Sequence, residues 1–139
     1  MKGRNITQLQ AGDRAEFTKA VTAHDVLLFA GVSGDHNPVH LDEAYAQTTM
    51  FKTRIAHGML VGSLFSTVLG TQLPGEGTIY LGQELKFLRP VYLDDVITAV
   101  VTVSEVMPEK NRVRCETSAV NQHGETVVTG FALVMPPKA

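Results

Sequence analysis

The sequence holds a single cysteine, Cys115, among 139 residues. One thiol excludes an intrachain disulfide and any multi-thiolate metal centre, and it suits a reducing compartment. Basic residues show no surplus: 12 stand against 14 acidic ones, for a net charge of −2, and they are scattered along the chain. Binding a phosphate backbone takes a continuous basic face, so nucleic acid is not an expected partner. Long apolar runs are missing too. The longest, Gly58–Leu69, is interrupted by Ser63, Ser66 and Thr67 and falls well short of the roughly 20 residues that span a bilayer. The first ten residues hold no apolar core of the signal-peptide kind. A cytoplasmic protein with no membrane association is the expectation.

What is there is an ordinary globular composition, 44% hydrophobic and 19% charged. The length favours one domain over residues 1–139, and no repeat, low-complexity tract or linker divides it. A chain of this size buries roughly two-thirds of its unfolded surface, enough for a core without staples.

Periodicity assigns the elements. Arg14–Val21 alternates, with Ala15, Phe17 and Lys19 opposite Glu16, Thr18 and Ala20, which predicts a strand. Thr22 and Asp25 have capping-box spacing. Val26, Phe29, Ala30 and Ser33 follow at helical intervals, and Gly34 is placed to end that helix. Asp42 is a candidate N-cap for a short helix to Gln47. His57–Leu69 is apolar nearly all round, the pattern of a helix wrapped by other structure. Thr78–Leu88, Val96–Val106, Arg112–Val120 and Glu125–Val134 are rich in Val, Ile, Thr, Tyr and Phe and are joined by short turns. Strands so connected are mostly antiparallel. The expected class is α+β, an antiparallel sheet curled around one buried helix.

Two polar clusters could carry chemistry. In Ser33–Asp42 the Asn37-Pro38 turn signal lets Asp35 and His40 converge, and a carboxylate with an imidazole can activate water near neutral pH. An equally economical reading has Asp35 cap a backbone amide while His40 packs. The second cluster, Ile55–Leu60, leads into the apolar helix. Amides there point outward unpaired and favour negative charge, and Gly58 leaves its N–H open to a ligand. It could equally be a tight start to a buried helix. Taken together, the clusters supply what hydration of an unsaturated thioester needs: a base for water, a proton for the α-carbon and a donor for the thioester oxygen.

These residues, with Phe29-Ala30, Tyr45-Ala46, Phe51 and Phe87–Asp95, resemble the MaoC-like (R)-specific enoyl-CoA hydratases. The resemblance runs from about Leu9 to Val134 and rests on the Asp-x-Asn-Pro-x-His pattern and its spacing to Ala-His-Gly-Met. It implies a hot-dog fold and hydration of a trans-2-enoyl-CoA to an (R)-3-hydroxyacyl-CoA. It implies that Asp35 and His40 handle water and proton, and that the Gly58 amide holds the thioester oxygen. Ser66, two turns along the helix, matches a serine near the site. Asn37 is expected to hold the loop, and His57 to bond beside Gly58. No cofactor is implied, and a homodimer is expected.

No metal site is expected either, because Pro38 interrupts the His36/His40 pair. Cys115 alternates with polar neighbours and reads as a small core residue. Lys52, Arg54, Lys86 and Arg89 are candidate contacts for coenzyme A phosphates. Two other functions fit the class: an acyl-CoA thioesterase using Asp35, and a non-catalytic acyl-thioester-binding module. Neither gives His40 an evident task.

Overall fold

A computed structural model describes residues 2–139. The strands are β1 (Arg14–Ala20), β2 (Ile79–Phe87), β3 (Val96–Met107), β4 (Arg112–Val120) and β5 (Thr126–Met135). They form one antiparallel sheet in the order β1-β3-β4-β5-β2. The helices are α1 (Ala23–Ser33), α2 (Pro38–Leu41), α3 (Glu43–Gln47) and α4 (Gly58–Thr71). Helix α4 lies in the curl of the sheet and packs against all five strands. This is the expected hot-dog arrangement.

Alternation builds the core. In β3, Ile97, Ala99, Val101 and Val103 are buried while the residues between them are not. In β4, Val113, Cys115, Thr117 and Ala119 do the same. They meet Val61, Leu64, Phe65, Val68 and Leu69 of α4. Apolar area removed from water at about 25 cal/mol per Å² makes this contact the main stabilising term. Glycine is required at one crossing: a Cβ on Gly130 of β5 would sit 1.8 Å from the Glu84 carbonyl oxygen of β2.

The wrapping of α4 is incomplete. Met59, Ser63, Ser66 and Gly70, spaced four, three and four apart, form one exposed stripe. Strand β2 also departs from the other sheet strands, with an almost wholly exposed pattern, and it is an edge strand paired only with β5. The periodicity of His57–Leu69 therefore described three sides of the helix and not the fourth.

The segment ahead of α4 positions the chemistry. Thr22 and Asp25 form the expected capping box on α1, and Lys19 pairs with Asp25 at 2.9 Å. The Thr22 amide first, and Lys19 next, hold the Asp25 carboxyl below its usual range. Gly34 ends the helix in the left-handed region, φ +80°. The chain then re-enters a helix sooner than the Asn37-Pro38 turn signal implies. Asn37 caps α2 through the Val39 amide, and Pro38 takes its first position, where a missing N–H costs nothing. His40 thus stands on a single helical turn, and Asp35 on the loop before it.

Candidate active site

His40 is 8% exposed, and its Nδ1 lies 2.7 Å from the carbonyl oxygen of Ile55. A carbonyl only accepts, so Nδ1 carries the proton and the neutral ring keeps its lone pair on Nε2. Ile55 is held for this contact from both sides. Its N–H donates to the Val39 carbonyl at 3.3 Å, and the next amide, Ala56, donates to Val91 at 2.7 Å. Burial, the largest cause, and the neighbouring His57 lower the His40 pKa, against the Ile55 bond and the Asp35 charge. The buried ring therefore favours its neutral, proton-accepting form.

Asp35 is exposed, and one carboxylate oxygen accepts from the Asn37 amide at 3.2 Å. Capping and convergence coexist in this loop. A carboxylate oxygen of Asp35, a ring nitrogen of His40 and one of His57 lie within 4.8 Å of one another. One water can bridge polar atoms at such a separation. Three donors this close resemble a cation site. The two imidazoles, however, are stacked with centroids 3.9 Å apart and planes 27° from parallel. Their in-plane lone pairs run nearly side by side instead of converging, and His40 Nδ1 and His57 Nε2 already face carbonyls.

Asp35, His40, His57 and Gly58 line one cavity of about 510 Å³, whose remaining wall is mostly apolar. Gly58 begins α4, so its N–H has no acceptor within the helix. No side chain caps α4, and no acidic residue lies in its first turn, which leaves the positive end of the helix dipole directed at the cavity wall. A Cβ at Gly58 would stand 2.7 Å from two ring carbons of Phe87, so the glycine keeps that ring and the amide adjacent.

The other expected residues separate. Asn37 does not line this cavity; it caps α2. Ser66 lines a second cavity, of about 460 Å³, with Ser63, Phe29, Gly62 and Tyr80. Met59 borders both. His57 bonds the Asp35 backbone carbonyl at 3.0 Å. Of the candidate cations, Arg89 lines the first cavity and pairs with Glu125 at 3.0 Å, and Arg54 pairs with Glu43 at 3.6 Å. His36 contacts its own loop at the Gly34 carbonyl. Cys115 is fully buried in the core, and burial pushes its thiol up to about 12. It is not a nucleophile at neutral pH. The Ile55 carbonyl was missed altogether, since a backbone group leaves no mark on composition. Phe87 and Arg89 had a signal, because Phe87–Asp95 carried part of the resemblance.

A buried imidazole, a carboxylate and a helix terminus surround one cavity on a sheet curled about a helix, the hot-dog scaffold. Relatives share the scaffold. The family described as the MaoC like domain matches residues 6–127. An (R)-specific enoyl-CoA hydratase of Rhodospirillum rubrum is 50% identical over 129 residues, 93% of this chain and 89% of the relative. The unliganded R-hydratase PhaJ1 from Pseudomonas aeruginosa superposes with a TM-score of 0.93 at 52% identity, covering 99% of this chain and 88% of that one. The (R)-hydratase from A. caviae superposes at 0.90 with 46% identity, covering 93% and 98%. The chain belongs to the MaoC-like family.

Proposed function

We propose that this chain is an (R)-specific enoyl-CoA hydratase, adding water reversibly and syn across a trans-2-enoyl-CoA to give an (R)-3-hydroxyacyl-CoA. The observation that carries the reading is the convergence of Asp35 and His40 beside the amide of Gly58. The activities named for the relatives support it. In this mechanism a water sits between the Asp35 carboxylate and His40 Nε2, and the pair takes its proton as oxygen attacks the β-carbon. The electron pair of the double bond moves through the α-carbon to the thioester oxygen, whose negative charge the Gly58 N–H stabilises by donating a hydrogen bond. The pair then returns a proton to the α-carbon, and the enolate collapses to the saturated thioester. Ser66 is proposed to face the acyl chain beyond Met59.

Crotonyl-CoA tests the reading. Loss of enoyl-thioester absorbance without thiol release is expected. Thiol release would make the protein a thioesterase, and neither change would leave it a binder.

The pH dependence has a defined sign. With His40 below its ordinary value of 6.5, the ring stays neutral further into acid, so the acid limb of kcat/KM is expected below that value. A rate profile whose acid limb falls above 6.5 would contradict the assignment of His40 as base. The unfolded chain binds this proton first as pH drops, so His40 also subtracts stability progressively below 6.5.

The protein is further proposed to act in the cytoplasm as a homodimer. No helix among the described residues is long and apolar enough to cross a membrane. Ile79, Tyr80, Leu81 and Phe87 of β2 and Met59 of α4 are exposed. An open edge strand flanked by apolar side chains invites a second copy. Light scattering should return twice the chain mass; a monomer at micromolar concentration would sink this part.

A further inference from the structure

We propose that His57 is a positioning residue for the hydration step: its Nε2–H fixes the backbone of Asp35 while its ring face fixes the plane of His40. The inference rests on the hydratase reading above and gives one side chain control of both halves of the acid–base pair.

His57 is 2% exposed. Its Nε2 lies 3.0 Å from the Asp35 carbonyl oxygen, 22 residues away in sequence. That oxygen can only accept, so Nε2 carries a proton. The ring stacks on His40 at 3.9 Å and packs against Phe29 of α1 at 4.8 Å, tilted by 55°. Its Nδ1 is buried without a hydrogen-bond partner. A buried polar atom left unpaired demands an explanation, and an apolar ring would fill the same space without one. What the imidazole adds is the donor to Asp35. The Asp35 loop is otherwise exposed and held by short-range contacts, so this long-range bond sets how its carboxylate approaches His40.

The stack also acts on the proton affinity of its partner, since a charge on His57 opposes one on His40. The titratable groups lining the cavity around the pair are Asp35, from the loop before α2, and Arg89, from the β2–β3 connection. Helix α1 presents Phe29, which is uncharged.

Two variants divide the roles. His57→Phe keeps a ring face and removes the donor; His57→Gln keeps an N–H donor and removes the face. With crotonyl-CoA, each is expected to lower kcat by roughly 10- to 100-fold, the usual cost of misplacing a catalytic group, with KM changed by less than about threefold. The acid limb of kcat is expected to move to higher pH, further in His57→Gln, where water gains access to His40. A raised KM at unchanged kcat would make His57 a substrate contact instead. Unchanged kcat and pH profile in both variants would overturn the proposal. Should a variant fail to fold, the wild-type protein still decides. Long-range ¹H–¹⁵N spectra should show His57 protonated at Nε2 and His40 at Nδ1, and a His57 ring protonated only at Nδ1 would refute the tether. If wild-type protein leaves crotonyl-CoA untouched, the hydratase reading has failed, while the spectra still judge the geometry.

Discussion

Asp35→Asn is expected to lower kcat for crotonyl-CoA hydration by roughly 100- to 10,000-fold while leaving the melting temperature near that of the wild type. Asparagine keeps an acceptor oxygen for the Asn37 amide, so the cap at 3.2 Å survives. It removes the negative charge with which the Asp35–His40 pair draws the proton from water. It also removes the attraction that raises the His40 pKa, so the partner ring becomes a weaker base. Both effects act on the chemical step, and KM should change little. Initial rates alongside circular dichroism check this. A rate within a few-fold of wild type would show that water is activated without the carboxylate.

His40→Ala differs in that it should injure both rate and fold. The rate loss is again roughly 100- to 10,000-fold, because the imidazole half of the acid–base pair is gone. In addition, the Ile55 carbonyl loses its 2.7 Å donor, and an unsatisfied acceptor in a part-buried place costs about 1–3 kcal/mol. The alanine also leaves a void against the His57 ring, which lies 3.9 Å away. Urea denaturation should therefore show a lower midpoint for His40→Ala than for Asp35→Asn. Equal midpoints would mean that the Ile55 contact adds nothing to stability. An active His40→Ala protein would remove the imidazole from the mechanism.

Much of this arrangement was written in local pattern. The capping box Thr22–Asp25, the Gly34 stop and the Asp42 cap were legible because each is satisfied by neighbours within a few residues. The four later strands were legible from their Val, Ile, Thr, Tyr and Phe content and their short turns; β3, β4 and β5 alternate between core and surface, whereas β2 is almost wholly exposed. Exposure depends on which strand lands at the edge of the sheet, a property of chain topology that no window of residues contains. Asn37-Pro38 reads as a turn signal in the sequence and opens α2 in the structure, because the restricted dihedral of Pro38 suits a turn and a first helical position equally. Asp35, His40 and Gly58 were legible as candidates from residue type. The turn and the resemblance led to the expectation that they meet; what the sequence does not show is the pairing of Ile55 with Val39 and of Ala56 with Val91 that holds them, because it joins long stretches of chain. Ser66 was expected near the pair and lies along a separate cavity, because two turns of helix carry it roughly 12 Å from Gly58.

Ile55, His57 and Gly58 fall within four consecutive residues. One supplies the oxygen that orients the base, one the ring it rests on, and one the amide at the head of α4. Thermal drift of that short stretch therefore moves anchor, platform and oxyanion donor as one block. Their mutual spacing is preserved even when their position relative to the sheet is not. Asp35 and His40 reach that block from the preceding loop and α2, Asp35 through the His57 ring nitrogen and His40 through the Ile55 carbonyl and the face of His57.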